Sequence, residues 1–448
     1  MSRRPAILDL FAGAGGLGLG FEQAGFDVAA AVELDPVHAA VHSYNFPESV
    51  TLCADATRIT GRSILERVGT HIDVVVGGAP CQGFSLIGQR ALDDPRNQLV
   101  KHFVRLVAEI KPSVFVLENV RGLTLAKHRV FLDEVVEEFA RHDYDVVLPW
   151  RVLNARDYGV PQDRQRLFLL GARKGVPLPD YPEPMEESDH LTCGDALRDL
   201  PDADDFATLL KSDSVKTTRW GELGDYAREM RCTDEASWHL GYKRKHRPSL
   251  LTSSMRTGHT TISRQRFAQT KQGTVEPISR FFKLSEDGVS NTLRAGTDSG
   301  RGAFTSPRPI HYKYNRCITV REMARLQGLP DWFRLHSTKW HGARQVGNSV
   351  PPPLARAVAE RILTTSFDFE PHKPARTVCL DSEYLLSLTM TEASRHWGVD
   401  DPIGKRNTKS GATKRKQVDI ECERLAHVRG GRVAWPTVSP RIKTPSLL

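Results

Sequence analysis

A strand that runs straight into a glycine-rich turn is the feature that most limits the fold of this chain. Residues 6–11 (AILDLF) are apolar except for one acid and are typical of a short buried strand. Residues 12–20 (AGAGGLGLG) follow at once and lead into a helical pattern. Glycines let a ligand approach the backbone closely and leave N–H groups of a helix amino terminus facing it. The unit predicts an α/β fold that binds a nucleotide-like molecule at this turn.

Strands and helical patterns then alternate to about residue 173. Further strands are predicted at 28–32, 50–54, 73–78, 114–117 and 167–170, and helices at 64–68, 98–110 and 130–142. This alternation predicts a doubly wound, Rossmann-like α/β domain. Folds of this kind bind ligands at the carboxyl ends of their parallel strands.

Two acids end predicted strands close to the glycine turn. Glu33 ends the second strand, about twenty residues past the turn, and Asp55 follows the third. A carboxylate at such a position commonly holds the hydroxyl groups of a ribose. The alternative is that either acid is a solvated loop residue or a helix cap.

Cys81 lies just after the fourth strand, in the tetrapeptide 79–82 (APCQ). A thiol at the mouth of the sheet is badly placed for packing and well placed for attack on a substrate. A buried structural cysteine is the alternative, since free cysteines are usually buried.

Three charged residues extend this candidate site. Glu118 ends the next apolar strand along the chain, where burial would raise the pKa of its carboxyl group and keep a proton available. Arg164 and Arg166 alternate at the start of a strand, which predicts both on one face, placed to stabilise negative charge. A capping carboxylate and two surface charges are the alternatives.

Six sequence blocks, in this order, resemble the signature motifs of the DNA cytosine-5 methyltransferases. Together they span the chain from the glycine turn to its last predicted helix. The blocks are residues 9–17 (DLFAGAGGL), 78–85 (GAPCQGFS), 118–120 (ENV), 158–166 (YGVPQDRQR), 318–331 (ITVREMARLQGLPD) and 345–352 (QVGNSVPP). Each block alone is a hypothesis, but six in the family's order make a chance match negligible.

The resemblance implies a DNA cytosine-5 methyltransferase that uses S-adenosylmethionine and acts on double-stranded DNA. It implies that Cys81 adds to carbon 6 of the cytosine, and that the residue matching Arg166 approaches the base oxygen with Arg164 nearby. The residues that we expect at the cofactor are Phe11, Ala12, Gly13, Gly15, Leu17, Glu33, Asp55, Pro80, Asn348 and Val350. Without the resemblance, Asn348 and Val350 are consistent with a turn before a helix that begins with prolines.

Changes in composition divide the chain into four predicted parts. Residues 1–185 form the catalytic and cofactor-binding domain, 186–325 a smaller, irregular target-recognition domain, and 326–370 a return to the first domain. Residues 371–448 are a basic extension with 14 Lys and Arg against 8 Asp and Glu. The irregular part is rich in hydroxyl-bearing and basic residues that suit phosphates and base edges, although an exposed insertion has the same composition. The extension is either an arm on DNA or a solubilising end.

Overall charge and cysteine content agree with a DNA substrate. The formal net charge of +8 over 448 residues favours a polyanionic partner. Seven cysteines without a Cys-x-x-Cys pair predict a reducing cytosol and no metal site. We expect no signal segment and no membrane span, and therefore a cytoplasmic bacterial protein. The expected role is a monomeric modification enzyme with a cognate restriction endonuclease.

Three other functions compete with this interpretation. A transfer-RNA cytosine-5 methyltransferase shares the chemistry, but the long irregular region favours DNA. A catalytically idle DNA-binding relative would be expected to lack Cys81 or Glu118, and both are present. A flavin or nicotinamide oxidoreductase would leave residues 79–82 and 162–166 without a purpose.

Overall fold

The structure is a computed structural model that describes residues 3–80, 97–124, 129–296 and 307–400. Cys81, the predicted nucleophile, lies outside these ranges. Within them, no helix has both the length and the apolar character needed to cross a membrane.

A central eight-stranded sheet organises the molecule. Its strands are β1 (Ala6–Leu10), β2 (Asp27–Glu33), β3 (Val50–Cys53), β4 (Val74–Gly77), β5 (Val114–Val120), β6 (Tyr144–Val146), β7 (Arg151–Asn154) and β8 (Gln165–Arg173). They are ordered β3-β2-β1-β4-β5-β8-β6, and β7 also pairs with β8. The first five strands are parallel, whereas β8 runs antiparallel to β5.

The helices of the described residues cover both faces of this sheet or belong to the irregular region that follows it. They are α1 (Gly16–Ala24), α2 (Pro36–Asn45), α3 (Gly61–Val68), α4 (Gln98–Ile110), α5 (Arg129–Arg141), α6 (Cys193–Leu197), α7 (Asp225–Met230), α8 (Thr261–Gln269), α9 (Val320–Leu326), α10 (Lys339–Asn348), α11 (Pro352–Ser366) and α12 (Met390–Trp397). Along β4, Val74 and Val76 pack in one core with α1 and α11. Val75 packs in the other core with α4 and α5. Burial on both faces explains why these strands are continuous apolar runs in the sequence. The prediction of a doubly wound α/β fold is confirmed.

The region between residues 186 and 325 is irregular, as its composition indicates. It holds α6, α7, α8 and three short strands, β9 (Val215–Lys216), β10 (Lys243–Lys245) and β11 (Leu250–Leu251). β9 pairs with β11 in a small separate sheet. The predicted boundary after residue 325 falls inside α9 and not between two elements.

Part of this region packs against the first domain. Arg244 in β10 forms a buried ion pair with Glu22 of α1, with an N–O distance of 2.7 Å. Leu240 donates its N–H to the carbonyl of Gln23. The stretch around residues 240–245 therefore supports the helix that follows the glycine turn.

The prediction of a tail after residue 370 is wrong for the described residues beyond it. Strand β12 (Thr377–Cys379) pairs in parallel with β10, and α12 packs on α2. Trp397 is buried against Ala39 and Cys53, and its indole N–H donates to the carbonyl of Pro36. Residues 371–400 hold three Lys and Arg against four Asp and Glu, so the basic excess of the extension lies beyond residue 400, and averaging over all of it concealed this folded segment.

Candidate active site

The site lies at the carboxyl edge of the sheet, where the strand order reverses. β1 stands between β2 and β4, so the chain leaves β1 and β4 toward opposite sides. Crevices at such switch points are where open α/β sheets bind ligands. The glycine turn follows β1, and the Pro80-Cys81 segment follows β4.

The glycine turn contains residues with positive φ angles, a backbone conformation that glycine adopts more easily than other residues. Gly13 and Gly15 have positive φ values of 59° and 102°, and Phe11 shares this conformation at 60°. A Cβ atom added at Gly13 would meet no atom within 4 Å, so open space lies beside the turn. Ala12 and Leu17 are buried and anchor the turn to the core.

Glu33 is fixed beside this open space by backbone donors. Its two carboxylate oxygens accept the N–H groups of Gly13 and Asp35, each at 2.8 Å. Burial raises the pKa of Glu33, while the charge of His38 opposes the rise. Asp55 accepts the N–H of Thr57 at 2.9 Å, which is the local turn geometry of the capping alternative.

The loop after α10 lies against the glycine turn. A Cβ atom at Gly16 would lie 1.8 Å from the Ser349 hydroxyl and 2.6 Å from the Val350 carbonyl, so the turn and this loop are in direct contact. Val350 is buried and Asn348 is exposed. The structure thus brings residues 348–350 next to the glycine turn.

Glu118 and Arg166 meet at the end of β4. The Arg166 Nε atom lies 2.9 Å from a Glu118 carboxylate oxygen. A Cβ atom at Gly78 would lie 2.8 Å from the other oxygen, and the Asn119 amide donates to the carbonyl of Ala79 at 2.9 Å. The acid and the cation therefore stand directly over the backbone that leads to the exposed Pro80.

Burial and charge act in opposite directions on Glu118. Desolvation raises the pKa of its carboxyl group, and the guanidinium groups of Arg166 and Arg164 lower it. Desolvation is the largest of these effects, so the carboxyl group holds its proton at higher pH than an exposed glutamate.

Arg164 does not share the position of Arg166. It precedes the first residue of β8, so strand alternation does not direct its side chain. Its guanidinium is buried and donates to the carbonyls of Leu293, Gly347 and Ser349. Its charge nevertheless acts on Glu118 and Arg166, so the prediction that both arginines face one side stays a prediction.

Two buried polar residues at the site were not singled out from the sequence. Asp9 in β1 accepts the Gly18 N–H at 3.1 Å, and burial raises the pKa of Asp9 to about 8. Its signal was a carboxylate inside an apolar strand. Gln162 bonds to Leu293, Leu326 and Gln327, and no local pattern indicates such distant partners.

Comparison with known proteins identifies the relatives of this chain. A family model described as C-5 cytosine-specific DNA methylase matches residues 6–364. The Type II methyltransferase M.XorII of Xanthomonas oryzae pv. oryzae is 55% identical over 409 residues, covering 91% of this chain and 95% of that protein. M1.HphI of Haemophilus parahaemolyticus, also a Type II methyltransferase, is 34% identical over 363 residues, covering 80% and 86%.

A solved structure agrees with these relatives. A crystal structure from E. coli, described as a DNA modification methyltransferase encoded within a prophage, aligns with a TM-score of 0.66 at 32% identity. The alignment covers 81% of this chain and 99% of that one.

Proposed function

The chain belongs to the C-5 cytosine-specific DNA methylases, and we propose that it methylates carbon 5 of a cytosine within a specific double-stranded DNA sequence. The observation that carries the chemical part is the Glu118 and Arg166 pair over Gly78. It supports the proposal because a buried carboxyl group and a guanidinium lie beside the segment that continues into Cys81.

The members of this family generally use S-adenosylmethionine, and the turn after β1 fits that cofactor. Gly13 borders open space, and Glu33 presents a carboxylate already oriented by two N–H groups. We propose that Glu33 holds the ribose hydroxyls and that Asp55 lies on the adenine side. The backbone of the turn and residues 348–350 would enclose the remainder. When bound, S-adenosylmethionine supplies an electrophilic methyl group.

The residues of the chain make the cytosine reactive. Carbon 5 is a weak nucleophile, so the Cys81 thiolate adds to carbon 6 and pushes an electron pair into the ring. Glu118 gives its proton to ring nitrogen 3, and Arg166 stabilises the negative charge that develops on oxygen 2. After carbon 5 has been methylated, its proton is lost to a water molecule and the thiolate departs from carbon 6. Ring nitrogen 3 returns its proton to Glu118, and the ring is aromatic again. The target base must leave the helix stack to reach this site, which is general for DNA methyltransferases.

Target choice belongs to the irregular region in this proposal. Residues 186–325 read the sequence, while the basic residues beyond 400 contact phosphates. The two relatives named above are Type II methyltransferases. We therefore propose that the protein acts as a monomer and protects host DNA from an endonuclease that recognises the same site.

The test begins with methylation mapping of DNA from cells that express the chain. A duplex with 5-fluorocytosine at the mapped position should then form a denaturation-resistant adduct with the wild-type protein and S-adenosylmethionine, because fluorine cannot leave as a proton. The Cys81→Ser variant should form none, and Cys379→Ser, at an exposed free cysteine, should react like the wild type. An adduct with Cys81→Ser would refute the proposed nucleophile. An adduct with transfer RNA but not with DNA would refute the proposed substrate.

A further inference from the structure

Three buried side chains form a polar hub between the two sides of the site. We call Gln162, Arg164 and Gln327 the buried hub, and each of them is at most 1% exposed. Gln162 donates to the Gln327 side chain at 2.7 Å. Gln327 and Arg164 both donate to the carbonyl of Ser349, at 2.6 and 2.9 Å. The hub thus converges on the loop that contacts the glycine turn.

The same hub holds a segment from the predicted recognition region. Arg164 donates to the carbonyl of Leu293 at 3.0 Å, and the Leu293 N–H donates to Gln162 at 3.0 Å. Ser290 exchanges backbone hydrogen bonds with Pro161 and Asp163 on the approach to β8. Residues 290–293 are therefore fixed against the segment that leads into β8, the strand that carries Arg166.

Direct contact completes the connection between the two segments. A Cβ atom at Gly347 would lie 2.3 Å from the Ala295 nitrogen and 2.5 Å from the Arg294 carbonyl carbon. No real Cβ atom tolerates such distances, so only glycine lets α10 approach this segment so closely. Gly16 makes the matching contact with Ser349 on the cofactor side. An unbroken series of contacts runs from the glycine turn to residues 290–295.

The guanidinium of Arg164 is suited to holding residues 347–349 and 293 together. Its planar fork donates in several fixed directions at once, which the ammonium of lysine cannot reproduce. All three carbonyls that it contacts lie far away in sequence, on two separate segments. Moving either segment would leave some N–H groups of a buried guanidinium without an acceptor, which is costly.

We propose that the buried hub couples cofactor binding to DNA binding, with Arg164 acting as a positioning residue. Cofactor at the glycine turn and DNA at residues 290–295 would stabilise the same arrangement of residues 347–350. Each ligand then raises the affinity for the other by the same factor, since coupling between two binding sites is reciprocal. The inference rests on the function proposed above.

The test measures the affinity for a duplex carrying the mapped site, with and without S-adenosylhomocysteine. In the wild type the cofactor product should strengthen DNA binding by roughly 5- to 150-fold, the usual range for coupled sites. Arg164→Lys should reduce this factor toward one, and the effect of DNA on S-adenosylhomocysteine binding should fall equally. An unchanged factor in Arg164→Lys, or a factor of one in the wild type, would overturn the proposal.

A matched variant separates coupling from general damage. Arg321 is another fully buried arginine, and it donates to the carbonyls of Thr252, Pro330 and Phe333. Arg321→Lys should lower the thermal stability but leave the coupling factor intact. If it reduces the factor as much as Arg164→Lys does, the hub has no special role and the inference is wrong.

A second variant tests the contact without touching the arginine. Gly347→Ala adds one methyl group against Ala295 and should also bring the factor toward one, even if Arg164→Lys fails to fold. A wild-type factor in Gly347→Ala would contradict the inference. Failure of the proposed function has a different signature, because a wild-type protein that neither binds nor methylates the mapped site would remove the premise itself.

Discussion

Two carboxyl groups in the central strands, Glu118 on the proposed target side and Asp9 on the proposed cofactor side, show how one physical effect serves two purposes. Burial raises the pKa of both. Glu118 faces the Arg166 guanidinium at 2.9 Å. Asp9 accepts only the N–H of Gly18, and its second oxygen has no hydrogen-bond partner among the described residues.

The difference between the two acids lies in what surrounds them. The positive charge of Arg166 stabilises the ionised form of Glu118, so the carboxyl group can release and regain a proton during a reaction. Without a cation nearby, an ionised Asp9 would be a bare buried charge, and the group stays neutral as a hydrogen-bond acceptor for α1. A raised pKa therefore indicates a proton donor only where a partner makes both charge states accessible.

The largest effect that tests this comparison is expected for Glu118→Gln. The change keeps the shape and removes the ionisable proton, so turnover should fall by roughly 10²- to 10⁴-fold, the usual contribution of general acid catalysis. The affinity for S-adenosylhomocysteine should remain close to that of the wild type. Single-turnover methylation and cofactor titration measure the two quantities.

Glu138→Gln is the control, because Glu138 pairs with Arg141 on the outer helix α5. It should methylate at the wild-type rate. In the wild type, turnover should fall as the pH rises through the raised pKa of Glu118, because the acid loses its proton. Near-normal turnover in Glu118→Gln would reduce this carboxyl group to the structural role that Asp9 has.

The comparison also shows how far the sequence predicts the molecule. The parallel strands and the helices between them follow from local sequence patterns. A strand buried on two faces is a continuous apolar run, and an amphipathic helix has apolar residues at helical spacing. The meeting of Glu118 with the end of β4 follows as well, because adjacent parallel strands end at one edge of the sheet.

Other features depend on contacts that no local pattern contains. The hydrogen bond from Arg164 to Gly347 joins residues 183 positions apart, so alternation near residue 165 cannot predict this partner. The pairing of β12 with β10 and the burial of Trp397 likewise require partners from distant segments. In each case tertiary contacts determine the structure, and the local sequence composition does not predict it.

The pH dependence of stability is the next effect, and it tests the neutral state of Asp9. In the unfolded chain this group ionises with a pKa near 3.8, and in the folded protein near 8. Folding therefore favours the protonated form, and stability is lost as the pH rises between these values. In Asp9→Asn, an amide replaces the protonated carboxyl group and this loss is absent.

The free energy of unfolding should diverge accordingly. From pH 5.5 to pH 8, Asp9→Asn should gain on the wild type by up to about 1.4 kcal/mol per pH unit, the limit for one proton. Above pH 8 the difference should level off. Urea unfolding of both proteins across this range measures it. Parallel curves would mean that folding does not raise the pKa of Asp9 and that its carboxyl group is ionised in the folded state.

The smallest effect concerns the basic residues beyond 400. Removing residues 401–448 should leave the mapped methylation site unchanged and weaken binding to all duplexes alike, because phosphate contacts carry no sequence information. The slope of log affinity against log salt concentration should flatten by ~0.9 for each phosphate that the shortened protein no longer neutralises. A different set of methylated sites would place part of the reading surface in this extension.

Cutting earlier gives the contrasting result. A protein that ends at residue 371 also loses β12 and α12, and with them the Trp397 side chain that packs on α2. Loss of a buried tryptophan typically costs about 3–5 kcal/mol, so this shorter protein should melt well below the one that ends at 400. Because α2 follows Glu33 closely, the protein that ends at residue 371 should also bind S-adenosylhomocysteine more weakly. The protein that ends at residue 400 should bind it normally. Equal melting temperatures for the two truncations would show that residues 372–400 add nothing to the cofactor side.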